Sequence, residues 1–157
     1  PKLPEYVNLH LYGLATESYR SKLQTLIKSH NLQSRVQFHG FVENKLLPVI
    51  FKKHDVFVLA SKHEGLPVSM IEAMACGLPI LSSDSGGGTY YLISKSQSGF
   101  LFDLNDTNDF VNKLKLLIND SELYNDFVKA GQKAAKDYFN VQTEIRKYQK
   151  LYLKLSS

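Results

Sequence analysis

Two carboxylates, Glu64 and Glu72, flank the seven-residue segment Gly65-Leu66-Pro67-Val68-Ser69-Met70-Ile71. A pair of acids brought to one cleft can do general acid/base work, hold a metal, or accept hydrogen bonds from the vicinal hydroxyls of a ribose or pyranose. A metal sphere needs more Asp or His ligands than His63 alone supplies, so metal binding is not expected. A glycosidase pair normally faces across a sugar from separate elements of a larger cleft. Gly65 permits close backbone approach, and Pro67 suits the first position of a helix, where a missing N–H costs nothing. The amides of Gly65, Leu66 and Val68 would then point outward and, with the helix dipole, suit a phosphate or a developing oxyanion. A second backbone-rich turn, Ser85-Gly86-Gly87-Gly88-Thr89, follows an apolar run and could cradle a diphosphate.

These groups must be positioned by the elements around them. Short β-branched runs alternate with stretches of helical period, the mark of βαβ units and a parallel sheet. Strands are expected at Val7–Gly13, Val36–Gly40, Asp55–Ala60, Pro79–Ser83 and Phe100–Phe102. Helices are expected over 17–30, 43–53, Pro67–Cys76 and Gly88–Ser94, and three more over 106–118, 121–138 and 142–155. Tyr19, Leu23, Leu26, Ile27 and His30 form the apolar stripe of the first helix; Leu114, Leu117 and Ile118, then Leu123, Phe127, Ala134 and Tyr138, form those of the later pair. The apolar strand ending at Ala60 delivers Glu64 to the carboxyl edge of the sheet, where open α/β sheets bind ligands. Glu72 shares a helix face with Val68 and Ser69 and leans toward Gly65, so both carboxylates are expected in one cleft. Met70, Ile71 and Met74 are expected to pack on the sheet, with Ala73 and Ala75 allowing close approach.

The composition fits a folded domain: 157 residues, 43% hydrophobic, 22% charged and 11% aromatic. A chain of this length buries roughly two thirds of its unfolded surface, so one domain is expected over 1–157. Cys76 is the sole cysteine, which excludes a disulfide scaffold and points to a reducing compartment, the cytoplasm. No apolar run approaches the ~18 residues of a membrane span, and Pro1–Tyr6 lacks the features of a signal peptide. The charge of +4 arises from 19 Lys and Arg against 15 Asp and Glu. Most of the excess lies near the end, where Arg146, Lys147, Lys150 and Lys154 oppose Glu144. Interleaved with apolar residues, these charges read as a solvated helix face rather than a nucleic-acid patch, and peripheral association with an anionic membrane is the charged-surface alternative. Cys76 reads as a small buried thiol, His63 as a loop residue beside the cleft, Lys62 as solvated, and Tyr90 and Tyr91 as packing residues.

The segment Glu64-Gly-Leu-Pro-Val-Ser-Met-Ile-Glu72, followed by Ala73-Met-Ala-Cys-Gly-Leu-Pro79, resembles the signature of the group 1 glycosyltransferases, family 4 of that class. The resemblance extends to Val36–Phe41, Asp55–Ser61, Gly86-Gly87, Ser98–Phe102 and the terminal helices, nearly the whole chain. It implies a retaining, metal-independent transferase of the GT-B type, in which two Rossmann-like domains face each other. This chain would be the C-terminal, nucleotide-sugar-binding domain, a Rossmann-like parallel sheet flanked by helices with a helical C-terminal segment. By the same resemblance, Glu64 is the catalytic-site residue contacting hydroxyls of the transferred sugar, and Glu72 takes the donor ribose. Gly65, Leu66, Pro67 and Val68 lie against sugar and diphosphate, Gly86 and Gly87 near the diphosphate, and Phe41, in the segment Phe38–Val42, borders the base through backbone. No cofactor is implied; the donor is a nucleoside-diphosphate sugar, with a UDP-sugar favoured, and the acceptor would bind an N-terminal domain of the same polypeptide.

Two departures accompany the resemblance. The family's Arg and Lys, which neutralise the donor diphosphate after the domain's first strand, would lie upstream of Pro1, so the chain is expected to be a fragment that transfers no sugar alone. The family's acidic residue three positions beyond the paired glycines is replaced by Tyr90. The last helix carries an apolar stripe, Ile145, Tyr148, Tyr152 and Leu155, which in the family crosses to the other domain and is expected to be partly exposed here. The alternative from another class is a non-catalytic nucleotide-binding or structural module acting through a partner protein. A dinucleotide-dependent oxidoreductase lacks its G-x-G-x-x-G fingerprint.

Overall fold

The structure is a computed structural model that describes residues 2–156; the two ends of the expected domain, Pro1 and Ser157, lie outside the described residues. The chain divides into two compact units, one up to Leu47 and one from Pro48 onward.

In the first unit, β1 (Leu9–Tyr12) pairs in parallel with β2 (Val36–Gly40), from Leu9 opposite Val36 to Tyr12 opposite Gly40, with a register irregularity between Leu11 and Tyr12. Between them runs α1 (Glu17–Ser29). Thr16 caps it by accepting the Tyr19 amide at 3.3 Å, and Glu17 and Lys28 complement the helix dipole at its two ends. The expected stripe is only half covered: Leu23 and Ile27 are half-buried, Tyr19 and Leu26 are exposed, and no residue of α1 is fully buried. Arg35 ties down the approach to β1. Its guanidinium donates to the Val7 carbonyl from Nε (3.0 Å) and Nη2 (2.9 Å), and from Nη2 to the Pro4 carbonyl (2.7 Å). On one face of the pair, His10 Nδ1 and His39 Nε2 share a 2.8 Å hydrogen bond, and the Tyr12 ring stacks on His39.

The expected helix over 43–53 is two pieces, a 3-10 turn at Asn44–Leu46 and a short helix α2 (Leu47–Phe51). Pro48 accounts for the break, because it has no N–H to return to the Asn44 carbonyl. Every other expected element is found within about two residues of its predicted ends, the usual latitude of helix and strand boundaries.

The second unit is built on the parallel sheet β3 (Phe57–Leu59), β4 (Ile80–Ser83) and β5 (Gly99–Phe102), in that spatial order. Phe57 lies opposite Ile80, and Ile80 opposite Gly99. The crossovers are α3 (Val68–Ala75) and α4 (Gly87–Ser96), followed by α5 (Thr107–Asn119), α6 (Ser121–Asp137) and α7 (Val141–Leu155). Asp106, Asp120 and Asn140 stand immediately before these last three helices, and each side chain accepts an amide of the first turn, from Asn108, Leu123 and Gln142. Helix α3 ends in a Schellman motif, with the amides of Leu78 and Gly77 donating to the carbonyls of Ala73 and Met74 at 3.0 Å.

Met70, Met74, Ile80, Leu81 and Leu92 are completely buried and form the centre of the core. Each such side chain contributes about 1.5–3 kcal/mol relative to an exposed one. Met70, Met74 and Ala73 are buried as expected, but Ile71 is half-buried and Ala75 exposed, because α3 also packs on α6 and this pair of residues opens onto the seam between them. Cys76, at the end of α3, is half-buried rather than buried. Helix α7 has no buried residue; Ile145 is 42% and Leu155 75% exposed, with Tyr148 and Tyr152 between those values.

Candidate functional site

The apolar run of β3 ends at Leu59, and the chain enters a loop over 60–67 that carries Glu64. Ser83, at the carboxyl end of β4 and completely buried, anchors the start of that loop. Its hydroxyl accepts the Ser61 amide at 3.0 Å and donates to the Ser61 carbonyl at 2.6 Å, with the Leu59 carbonyl 3.3 Å away. Glu64 is half-buried, while Lys62, His63, Gly65 and Leu66 are exposed. Pro67 is not the first helical residue, as the sequence suggested, but the N-cap, with ψ of 98° and its carbonyl accepting the Met70 amide at 3.0 Å. The shift by one residue follows from its extended ψ, which the helix interior does not admit. Among the described residues the amides of Gly65, Leu66, Val68 and Ser69 donate to no protein acceptor. The exposed Val68 side chain starts the helix.

The second turn is laced around Thr89, which is completely buried. Its hydroxyl donates to the Gly86 carbonyl (3.2 Å) and accepts the Ser85 amide (3.3 Å), and the Ser85 and Thr89 hydroxyls lie 3.0 Å apart. Asp84 accepts the Gly86 amide at 3.1 Å. Gly86, at φ 70° and ψ −172°, serves as the N-cap of α4 in a conformation closed to other residues. Gly87 and Gly88 follow as the first helical residues.

These two turns touch. A Cβ on Gly88 would lie 1.5 Å from the Gly65 carbonyl oxygen and 2.9 Å from the Leu66 Cα, so the start of α4 rests directly on the loop before α3. The amide-bearing starts of two helices therefore meet at one backbone contact, beyond the carboxyl ends of β3 and β4. Such a junction suits an anion, because unpaired N–H groups and two dipole ends carry partial positive charge.

Glu72, the second carboxylate, lies on α3. It is half-buried and lines a hollow of about 390 Å³ with Ile71, Ala75, Gln132, Ala135, Lys136, Phe139 and Asn140, between α3 and the end of α6. Glu64, on the loop before α3, is not among the residues that line this hollow. The packing of α6 along α3 forms this hollow beside Ile71, Glu72 and Ala75. Phe41 follows β2 in the first unit and is 67% exposed. Tyr90 is 59% exposed; Tyr91, also exposed, meets Phe139 edge-on at 6.2 Å.

Three residues escaped the sequence reading: Ser83, Thr89 and, for its steric part, Gly88. The signal for the first was available, since Ser82-Ser83 is a polar pair ending an apolar strand, and such a pair must find partners when buried. A second hollow, about 470 Å³, lies past β5 among Asp84, Leu101, Phe102, Asp103 and Lys113. Its carboxylates are committed to capping: Asp84 to Gly86, and Asp103 to the Asn105 amide at 2.8 Å.

The family model of glycosyl transferases group 1 matches residues 2–134. A UDP-Gal:alpha-D-GlcNAc-diphosphoundecaprenol alpha-1,3-galactosyltransferase of Escherichia coli is 33% identical over 123 residues, covering 78% of this chain and 31% of the relative. An uncharacterized glycosyltransferase of Haemophilus influenzae is 31% identical over 137 residues, covering 87% of this chain and 37% of its own length. Among solved structures, Anabaena Alr3699/HepE in complex with UDP and glucose superposes with a TM-score of 0.85 at 26% identity, covering 98% of this chain and 41% of that one. The chain thus spans about a third of the length of the curated relatives it matches.

Proposed function

The chain belongs to the group 1 glycosyl transferases and has the α/β fold of their GT-B C-terminal domain, and from that premise we propose that it is the nucleotide-sugar-binding part of a sugar transferase. The observation that carries this reading is the backbone contact between Gly88 and Gly65-Leu66, which joins two sets of unpaired amides. In the proposal the donor is a UDP-sugar; the likeness to a neighbour solved with UDP and glucose supports that choice. Its diphosphate sits against the amides of Gly65, Leu66, Val68 and Gly87, with Gly86, whose amide is held by Asp84, shaping the turn beside it. Glu64, on the loop, accepts hydroxyls of the sugar, and Glu72 accepts the ribose hydroxyls from the flank of α3.

The transfer step breaks the bond between the sugar's anomeric carbon and the diphosphate oxygen and forms one from that carbon to an acceptor hydroxyl oxygen, which gives up its proton, while negative charge gathers on the leaving diphosphate. Fixed amides and helix ends stabilise that charge without having to reorient, and each such donor is worth roughly 2.7–4 kcal/mol in comparable sites. Transfer is proposed to be retaining and metal-independent, as the resemblance implies. The acceptor is proposed to bind a second domain of the same polypeptide, which the coverage of about a third of its relatives supports. The proposed setting is the cytoplasmic side of glycan or surface-polysaccharide assembly; among the described residues no helix is long and apolar enough to cross a membrane.

The test is ligand-observed NMR of the chain with UDP, GDP and ADP, beside Glu72→Ala. Saturation of UDP signals that the variant loses is the expected result. Equal behaviour of all three nucleotides would refute the UDP assignment, and binding untouched by the variant would remove Glu72 from the donor site.

A further inference from the structure

The three successive glycines of the second turn do different jobs. Gly86 and Gly87 adopt positive φ, at 70° and 49°, so their demand is conformational. A Cβ on Gly86 would meet nothing within 4 Å, and one on Gly87 only the Glu64 carbonyl oxygen at 3.7 Å, an ordinary contact. Gly88 is the reverse. Its φ is not in the left-handed region, so any residue could adopt its backbone, yet a Cβ there would sit 1.5 Å from the Gly65 oxygen and 2.6 Å from the Gly65 carbonyl carbon. Restoring ordinary contact would require the loop and the helix start to separate by about 2 Å.

We infer that Gly88 is a positioning residue for the donor site, whose missing side chain lets α4 press on the Gly65–Leu66 peptide and fixes where those amides point. The inference rests on the donor-site reading above. It follows from three features of the loop. Gly65 and Leu66 are exposed and their amides donate to no protein acceptor, so no hydrogen bond from those amides holds them in place. The loop is tied at its start, where Ser83 binds Ser61, and at its end, where Pro67 is buried and caps α3. Its middle is held by packing against the backbone of α4, and Gly88 is the point of closest approach. The start of α4 is braced by the buried Thr89, whose hydroxyl bonds within the turn to Ser85 and Gly86, so the exposed loop is the part expected to yield. Hydrogen bonds to an anion fall off steeply with distance and angle, so a 2 Å displacement of these amides would disable them as donors.

The experiment uses the 157-residue chain, wild type and Gly88→Ala. Alanine improves helix propensity at this position, so far-ultraviolet circular dichroism should show helix content kept or slightly raised. The amide resonances of Gly65, Leu66 and Val68 should move, while those of α5 and α6 stay. The dissociation constant for UDP should rise about tenfold or more, the worth of one hydrogen bond to a charged group. Unmoved loop resonances with unchanged UDP affinity would overturn the inference. Should the variant fail to fold, nuclear Overhauser contacts between the Gly88 α-protons and the Gly65 and Leu66 backbone decide the matter in the wild type: their presence upholds the close approach and their absence overturns it. A wild type that shows the contact and the loop response but binds no UDP would refute the donor reading alone, leaving Gly88 as the support of the loop.

Discussion

Replacing Ser83 by alanine tests the other anchor of the same loop. The hydroxyl is completely buried and serves both polar groups of one residue, the Ser61 amide at 3.0 Å and the Ser61 carbonyl at 2.6 Å. Removing it deletes little volume but leaves two half-buried backbone groups without their partner, at a cost of roughly 1–3 kcal/mol for each group left unsatisfied and less where water reaches in. Because Ser61 is half-buried, a net loss of about 2 kcal/mol is expected. For a chain of this size that lowers Tm by about 4–8 °C, and with a urea m-value of about 2 kcal/mol/M it moves the midpoint by about 1 M. Urea unfolding followed by circular dichroism, with amide exchange at Ser61 and at Leu81 as local probes, separates loosening of the loop from loss of the sheet. Ser94→Ala, on the exposed face of α4, is the control and should leave both midpoints unchanged. A Ser83→Ala midpoint indistinguishable from that control, with exchange at Ser61 unaltered, would refute the assignment of Ser83 as the anchor.

Other consequences follow from named contacts. Asp109 is held below its ordinary pKa of 3.8, chiefly by the hydrogen bond from Lys113 and then by the Asp103 amide. A lowered folded-state pKa means stability that is present above 3.8 and lost as pH falls through the lower folded value, so Asp109→Asn should weaken the chain at neutral pH and flatten its loss below about pH 4, measured by urea midpoints across pH. Arg35→Ala should free the segment before β1, seen as faster amide exchange at Val7 and Leu9 with the second unit unaffected. Ending the chain at Asn140 removes a helix with no buried residue and should shift Tm by no more than about 2–4 °C, while lowering any concentration-dependent association seen by sedimentation. A large loss of stability on that truncation would show that the exposed face of α7 is covered in solution.

The alternation of strands and helices was legible because both periodicities are strong: β-branched runs such as Asp55–Ala60, and helical stripes such as Leu114, Leu117 and Ile118. Failures came where one atom overrode the pattern. Pro48 broke a helix that its apolar neighbours suggested, and the extended ψ of Pro67 moved the start of α3 by one residue. The site was legible in part. The segment from Glu64 to Glu72 announced itself through paired acids and a glycine, but the flank on which Glu72 opens depended on where α6 would lie, a long-range fact that local spacing does not encode. For the same reason Ile71 and Ala75, placed by periodicity alone, faced a seam that periodicity could not foresee.

The uneven legibility has a chemical cause. A site made of backbone amides has no side-chain signature, since any residue carries an N–H; its sequence trace is the absence of side chains where the backbone must come close. The triplet Gly86-Gly87-Gly88 therefore looks like one flexible turn in the sequence, whereas in the structure two of its members are there for φ and the third for contact. Distinguishing these predicts opposite responses to the same mutation. At Gly86 or Gly87 an added methyl meets open space or an ordinary contact and strains the backbone, so D-alanine, which favours positive φ, should be tolerated where L-alanine is not. At Gly88 the backbone accommodates the L-residue and the obstacle is the Gly65 carbonyl. Semisynthetic chains carrying D-alanine or L-alanine at 86 and at 88, compared by thermal unfolding, would show stereochemistry deciding the outcome at 86. At 88 the L-form should be penalised by contact despite an unstrained backbone; tolerance of L-alanine there would place the junction of the two turns further apart than this packing requires.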